Sequence, residues 1–488
     1  MTRTILLCLA WLAWASAQGT PHPEPAPPAS LPQLDKLVDK QTRLLPLLNL
    51  TEGPVLDLQE CYRMALEQHP VLMSQRAQVD QAAAQLEVSW AAYDPSVAIN
   101  VNRTFLTVSP FEFPGQPQVT QNFTQGSLNI TQTITDSGKR WAQVQSSEWF
   151  LKSSFYNYHK TRLQQFQLIQ QAYVLTLSAE FRKEIQRENW HRNQNMLNFS
   201  LGLYRAGQKS LIDISQASTQ STQAEVAFRS AQNQAQNSRV SLAQTLGVDV
   251  SVLEKRPLKP IFEEPYLPPN RATALQMLEN NPTLLNLETV AKGLEFQAEM
   301  QRKSLLPVIS TGVGYGLQGL EGPTATFWQF GLSLSVPLYQ PGVESQARQF
   351  EAQAAQFRFD RDNAKTQLVQ QLDTAFSDLH WTERRVKAAQ LEVAQALANL
   401  ELADKRYKGG LADYTEQINA RSFVLLAQGD LLAALSDRKI AEGRLQQVLG
   451  LLPVEPGYDW EHPELPLPAL PAKPPKGTER PDENSVRP

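Results

Sequence analysis

From Gly342 to Tyr407 the chain contains neither proline nor an internal glycine, and its apolar residues recur on a seven-residue beat. Leu372, Leu379, Val386, Val393 and Leu400 mark one position of the beat, and Ala375, Thr382, Ala389, Ala396 and Ala403 mark a second. A strict seven-residue repeat predicts helices wound in a left-handed supercoil, and small residues along the seam let a neighbour approach closely. A helix of about 65 residues is about 100 Å long at ~1.5 Å per residue. The segment 138–204 has the same character, with Leu163, Phe166, Ile169, Tyr173, Leu177, Phe181 and Ile185 at helical spacing. Further helices are predicted over 210–246 and 413–449, each closed by a glycine and preceded by Tyr-x-x-Gly, which reads as the turn of a helical hairpin. Asp57 and Glu60 have capping-box spacing at the start of a shorter helix.

Between these helices the period changes to two. Trp328, Phe330, Leu332, Leu334, Val336 and Leu338 alternate with Gln329, Gly331, Ser333 and Ser335. Ile309, Val313, Tyr315 and Leu317 alternate with Ser310, Gly312, Gly314 and Gly316. Earlier in the chain Val97, Ile99, Val101 and Phe105 share a face that Arg103 interrupts, and Leu128, Ile130 and Ile134 share one that Gln132 interrupts. Strands are therefore expected over about 97–105, 122–135, 308–318 and 326–338, each with one apolar and one polar face. Gly314, Gly316 and Gly319 match G-x-G-x-x-G, but that motif needs a helix to open behind it. Here Leu320, Glu321, Gly322 and Pro323 follow, so the glycines are the small-residue face of a strand, with Gly319 beginning the hairpin loop. The Asn-x-Thr triplets near the first strand pair read as by-products of an Asn/Thr-rich polar face.

The chain repeats itself. ALEQHP at 65–70 pairs with MLENNP at 277–282, and Pro95 follows Pro70 by the interval at which Pro307 follows Pro282. YRAG at 204–207 pairs with YKGG at 407–410, and a Leu-Gly ends 43 residues after each tyrosine, at Gly247 and at Gly450. The units run over about 56–250 and 271–452 and are joined by a Pro-rich connector at 251–270. Residues 18–55 and 453–488 are Pro-rich and read as extended or disordered tails. Residues 1–17 read as a signal peptide, with Ala15-Ser16-Ala17 at the cleavage site. The alternatives are a membrane anchor, for which the run Ile5–Ala15 is short, and lipidation of Cys8, which Leu6-Leu7 disfavours.

Composition narrows the chemistry. The formal net charge is −4, and loss of residues 1–17 removes only Arg3, which argues against nucleic acid as a partner. Past the signal peptide Cys61 is the one cysteine, and the 6 histidines are scattered without ligand spacing. No GxSxG, HExxH or Walker A motif is present, so no enzyme activity and no cofactor is expected. Beyond the signal peptide no apolar run approaches the ~20 residues of a spanning helix, whereas alternating strands of a membrane barrel escape that test. A strand with lipid on one face and water on the other must close into a barrel, since open edges cannot be left in lipid. Four strands are too few for the smallest barrels, of ~8, so a barrel requires several chains. The soluble alternative is a pair of ordinary hairpins packed on their own helices.

The duplicated helix–strand–strand–long helix–helix order, the paired Tyr-x-x-Gly turns, the Leu-Gly closures and the amphipathic opening LDLQECYRMALEQHP resemble the TolC-like outer membrane efflux family over residues 56–452. The resemblance implies a mainly α chain with a small β-barrel part. It implies a homotrimer in which four strands from each chain complete a twelve-stranded barrel in outer-membrane lipid, above a periplasmic tunnel of long helices. It also implies an exit duct that docks onto a periplasmic adaptor (membrane fusion) protein and an inner-membrane transporter, for efflux or type I secretion.

By the same resemblance, Asp213, Gln216, Tyr407, Glu416 and Asn419 fall at the periplasmic gate, and Gly207, Gln208, Gly410 and Leu411 fall where the adaptor touches. Ala412 stands where the family has a basic partner and Asn419 where it has a second acid, so a gate held by Tyr407 and packing is the alternative to an ion-paired lock. Asp213 and Glu416 have a second reading as helix-capping carboxylates, three residues after Ser210 and Asp413. Two rival functions remain open: a non-conducting coiled-coil protein of the envelope, and the periplasmic adaptor itself, which would need a compact β-rich domain that this sequence lacks.

Overall fold

The computed structural model describes residues 55–108, 119–208, 210–254, 256–262, 266–320, 323, 325–409, 411 and 414–451. The expected signal peptide and both Pro-rich tails lie outside the described residues, as does most of each strand-connecting loop. The elements are α1 (Leu58–Gln68), α2 (Pro70–Ala91), β1 (Ser96–Val108), β2 (Val119–Thr135), α3 (Lys139–Arg205), α4 (Leu211–Leu246) and the single turn α5 (Ser251–Glu254). They continue with α6 (Arg271–Glu279), α7 (Pro282–Lys303), β3 (Val308–Leu320), β4 (Ala325–Ser335), α8 (Val343–Lys408) and α9 (Tyr414–Leu449). Two helices, two strands, a long helix and a second helix thus occur twice in order. The described residues of 50–386 and 432–488 form one compact unit, and Lys387–Leu431 forms another.

Local chemistry sets the helix ends. The His-Pro and Asn-Pro pairs are matched starts: His69 Nδ1 accepts from Val71 N–H at 3.3 Å and Asn281 Oδ1 from Thr283 N–H at 2.9 Å. Each is followed by proline at the first helical position, where a missing N–H costs nothing. Asp57 caps α1 by accepting from Leu58 N–H at 2.7 Å. The expected capping box with Glu60 is not built. Glu60 turns to the connector instead, where Arg256 Nη2 donates to both its oxygens at 2.8 and 2.7 Å. An ion pair across the chain has displaced a local bond.

In the larger unit α3 is the central post. Leu163, Phe166, Ile169, Tyr173, Leu177 and Phe181 form its buried stripe, and Ile185 is half-buried. Toward its start, Val144 and Leu151 pack with Val79, Ala83 and Leu86 of α2. The connector is tied to the same post. The Tyr173 hydroxyl lies 2.9 and 2.8 Å from the carbonyl oxygens of Leu56 and Lys259, and Leu56 pairs with Leu258 in a parallel bridge. Glu180 accepts from Arg239 Nε at 2.6 Å, while Arg239 Nη1 donates to Leu253 O at 2.7 Å. Burial would raise the Glu180 carboxyl, but hydrogen bonds from Lys183 and Arg239 outweigh it and hold the group below its ordinary value. Leu372, Ala375 and Leu379 of α8 share a core with Leu278 of α6 and Leu445 of α9. Every residue of the seven-residue seam named above, from Leu372 to Ala403, is buried. Cys61 is fully buried, and desolvation pushes its thiol up to about 12.

The four strands form one antiparallel sheet in the order β1-β2-β3-β4. The register aligns Val97, Ile130, Val313 and Phe330 in one row and Ile99, Leu128, Tyr315 and Trp328 in the next. All eight are exposed, Trp328 at 79%. The intervening row runs Ala98, Asn129, Gly314 and Gln329. A Cβ on Gly316 would stand 2.3 Å from Gly126 O and 2.9 Å from the Phe327 ring, so the glycines of this face make room for their neighbours. Gly319 does not begin the loop: it pairs with Thr124 inside the ladder, and β3 runs on to Leu320. At the other end β4 stops at Ser335, which leaves Val336 and Leu338 outside the strand.

His159 gives this fold a pH dependence. It is 1% exposed, edge-on to Phe155, and desolvation, with Arg162 nearby, lowers its pKa to about 3. An unfolded chain protonates this histidine near pH 6.5, whereas the folded protein does not until about 3. Stability is therefore lost as pH falls below about 6.5, at up to ~1.4 kcal/mol per pH unit. Urea midpoints at pH 7 and pH 5 check this: His159→Phe should reduce the difference, and an unchanged difference would place the titration elsewhere.

Candidate functional site

The turn between α3 and α4 is built from backbone bonds that end one helix and side-chain bonds that begin the next. Ala206 N–H donates to Gly202 O at 3.1 Å, Gly207 N–H to Tyr204 O at 2.9 Å and Gln208 N–H to Leu203 O at 2.9 Å. Gly207 has φ +74°, a left-handed conformation that glycine adopts without strain. Asp213 then accepts from Ser210 N–H at 2.9 Å, closing a reciprocal capping box with Ser210. Gln216 is exposed one turn further along. Gly207 and Gln208 are exposed, as are the apolar side chains of Leu211 and Ile212.

The turn between α8 and α9, in the smaller unit, repeats the backbone pattern. Gly409 N–H donates to Lys405 O at 3.0 Å and Leu411 N–H to Arg406 O at 2.8 Å, the counterparts of the bonds at Ala206 and Gln208. Gly410 and Asp413 lie outside the described residues. Leu411 is strongly exposed. Tyr407 is 5% exposed, whereas its counterpart Tyr204 is 44% exposed. Glu416 is paired: Arg406 Nη1 lies 2.7 Å from its Oε1. Gln417, buried beside it, donates to Asp404 Oδ1 at 2.5 Å, and Asn419 is exposed.

Each turn therefore gathers its own residues: Gly207, Gln208, Asp213 and Gln216 in one, and Tyr407, Leu411, Glu416 and Asn419 in the other. Arg406 is the residue that sequence reasoning missed. The family resemblance puts a basic partner after the tyrosine, at Ala412, whereas the partner of Glu416 sits one residue before it. The repeat does not reveal it, since KRYKGG puts an arginine where GLYRAG has Leu203.

Among the described residues no helix is long and apolar enough to cross a membrane, and no group of three or more His, Cys, Asp or Glu could hold a metal ion. On the sheet, two full rows of apolar side chains are exposed across all four strands. A family model for outer membrane efflux proteins matches the chain twice, over residues 61–248 and 274–451. The chain belongs to the outer membrane efflux protein family. It is 21% identical over 336 residues to the pyoverdine export outer membrane protein OpmQ of Pseudomonas aeruginosa, covering 66% of this chain and 69% of that protein. The outer membrane protein VceC of Vibrio cholerae has a similar fold, with a TM-score of 0.66 at 19% identity over 80% of this chain and 96% of that one. The CmeC outer membrane channel of Campylobacter jejuni gives a TM-score of 0.70 at 16% identity, over 80% of this chain and 85% of that one.

This outer membrane efflux protein is a transport protein of the outer membrane, not an enzyme. The Arg406–Glu416 pair is about half-exposed, so it contributes less than about 1 kcal/mol, and Arg406→Ala should leave the melting midpoint nearly unchanged. Loss of the box in Asp213→Ala should cost about 1 kcal/mol at the start of α4, speeding amide exchange at Ile212 and Asp213 about five-fold. Unchanged exchange there would show that the cap does not hold the turn.

Proposed function

We propose that the protein is a passive exit duct assembled from three copies of this chain. Four strands from each copy close a barrel of twelve strands in the outer membrane, and the long helices line a conduit through the periplasm. The carrying observation is the sheet: its apolar face is exposed, and β1 and β4 are open edges in a four-stranded order. A strand edge facing lipid leaves N–H and C=O groups without partners, at several kcal/mol each. Pairing β1 of one copy with β4 of the next removes every edge at once.

The helical turns are the far end of this duct. Asp213, Gln216, Tyr407, Glu416 and Asn419 form its constriction. Gly207, Gln208, Gly410 and Leu411 meet a periplasmic adaptor, with the exposed Leu211 and Ile212 adding apolar area beside them. The energy for export comes from an inner-membrane transporter, consistent with the absence of nucleotide and metal motifs in the sequence. Membership in an efflux family and the relative OpmQ, an export protein, support this reading over a non-conducting envelope protein.

Planar-bilayer recording tests it. The wild-type protein should give steady ohmic steps with a preference for cations. Asp213→Asn with Glu416→Gln should move the reversal potential in a salt gradient toward zero, with Asp213 carrying most of the change because Arg406 already balances Glu416. An unchanged reversal potential would remove both acids from the constriction. Absence of conductance in the wild type would favour the envelope protein.

A further inference from the structure

Across Ser96–Val108, Val119–Thr135, Val308–Leu320 and Ala325–Ser335 there is no Asp, Glu or Lys, and there is a single Arg. That residue, Arg103, lies on the apolar face of β1 with Val97, Ile99, Val101 and Phe105. It is exposed, and its guanidinium stands over the Phe105 ring at 5.2 Å. Among the described residues it makes no hydrogen bond and no ion pair. Its neighbours in the ladder are Thr124 and Gly319, small residues that leave it uncovered from the side.

An arginine on a lipid-facing strand is costly at the bilayer midplane and nearly free at the interface. The ladder places Arg103 at such a border. The rows through Val97 and Ile99 are apolar across all four strands, the row through Val101 includes Gly126 and Thr326, and the row of Arg103 adds only Thr124 and Gly319. The helices leave the sheet at the opposite end and extend into the periplasm, so this border belongs to the outer leaflet. A second copy supplies no counter-ion from its strands, because those strands contain no carboxylate.

We propose that Arg103 binds a phosphate of the phosphorylated glycolipid in the outer leaflet. The Phe105 ring supports one face of the guanidinium, and the acyl chains lie along Val101, Ile99 and Val97. The site rests on the barrel reading above. Its chemistry is that of an arginine fork donating to phosphate oxygens, a strong pairing in a setting that excludes water.

The test uses the mature full-length protein extracted in detergent, with native mass spectrometry as the readout. The lipid-free mass is read first: a monomer there would overturn the barrel and this site with it. With a trimer in hand, lipid A is titrated onto wild type, Arg103→Gln and Arg103→Lys. Arg103→Gln should remain trimeric and bind lipid A about ten-fold more weakly, with Arg103→Lys between the two. Lipid A stripped of its phosphates should not distinguish the three, and millimolar inorganic phosphate should not displace bound lipid A. Equal binding by wild type and Arg103→Gln would overturn the proposal, as would displacement by free phosphate.

Discussion

The unpaired backbone along the outer edges of β1 and β4 is the constraint from which the rest of the account follows. In water such edges are hydrated, and a sheet with one exposed apolar face is merely sticky. In lipid the same face is favourable and the same edges are prohibitive. The chain combines an exposed apolar face, which lipid would cover, with open edges that lipid does not tolerate. The proposed closure between copies resolves the conflict, and it requires the strand hydrogen bonds of one copy to continue in the next. Glycine at 314 and 316 belongs to the same solution, because the face turned away from lipid is crowded by Asn129, Phe327 and Gln329.

The helices meet a different requirement. They must be long, and they must approach one another closely without a bulky core. Alanine at alternate seam positions answers the second need, with Ala375, Ala389, Ala396 and Ala403 all buried. Specificity then comes from polar ties to the post formed by α3. Tyr173 holds the carbonyls of Leu56 and Lys259, and Arg239, braced by Glu180, holds those of Leu253 and Arg256. These ties, with the Leu56–Leu258 bridge, fix the described part of the Pro-rich connector against α3.

The architecture was legible because each element announces itself by period. Period two over Trp328–Leu334 and period seven over Leu372–Leu400 survive in the structure as an exposed row and a buried seam. Local rules failed where a distant partner competed. Glu60 has the right spacing for a capping box, but Arg256, far along the chain, takes it. Gly319 looks like a loop residue beside Pro323, yet Thr124 on the neighbouring strand holds it in the ladder. The turn residues were found by their repeat, and Ser210–Asp213 could be read as a capping box from spacing alone. Arg406 could not be read in that way, because its partner lies across the turn and its counterpart in the first unit is a leucine.

Native mass of the full-length protein, released from an isolated outer-membrane fraction, tests the central claim most directly. Closure of the sheets between copies predicts a stable trimer that leaves the membrane only with detergent. A monomer or dimer released by salt alone would contradict it, because four strands with open edges would then never have met lipid.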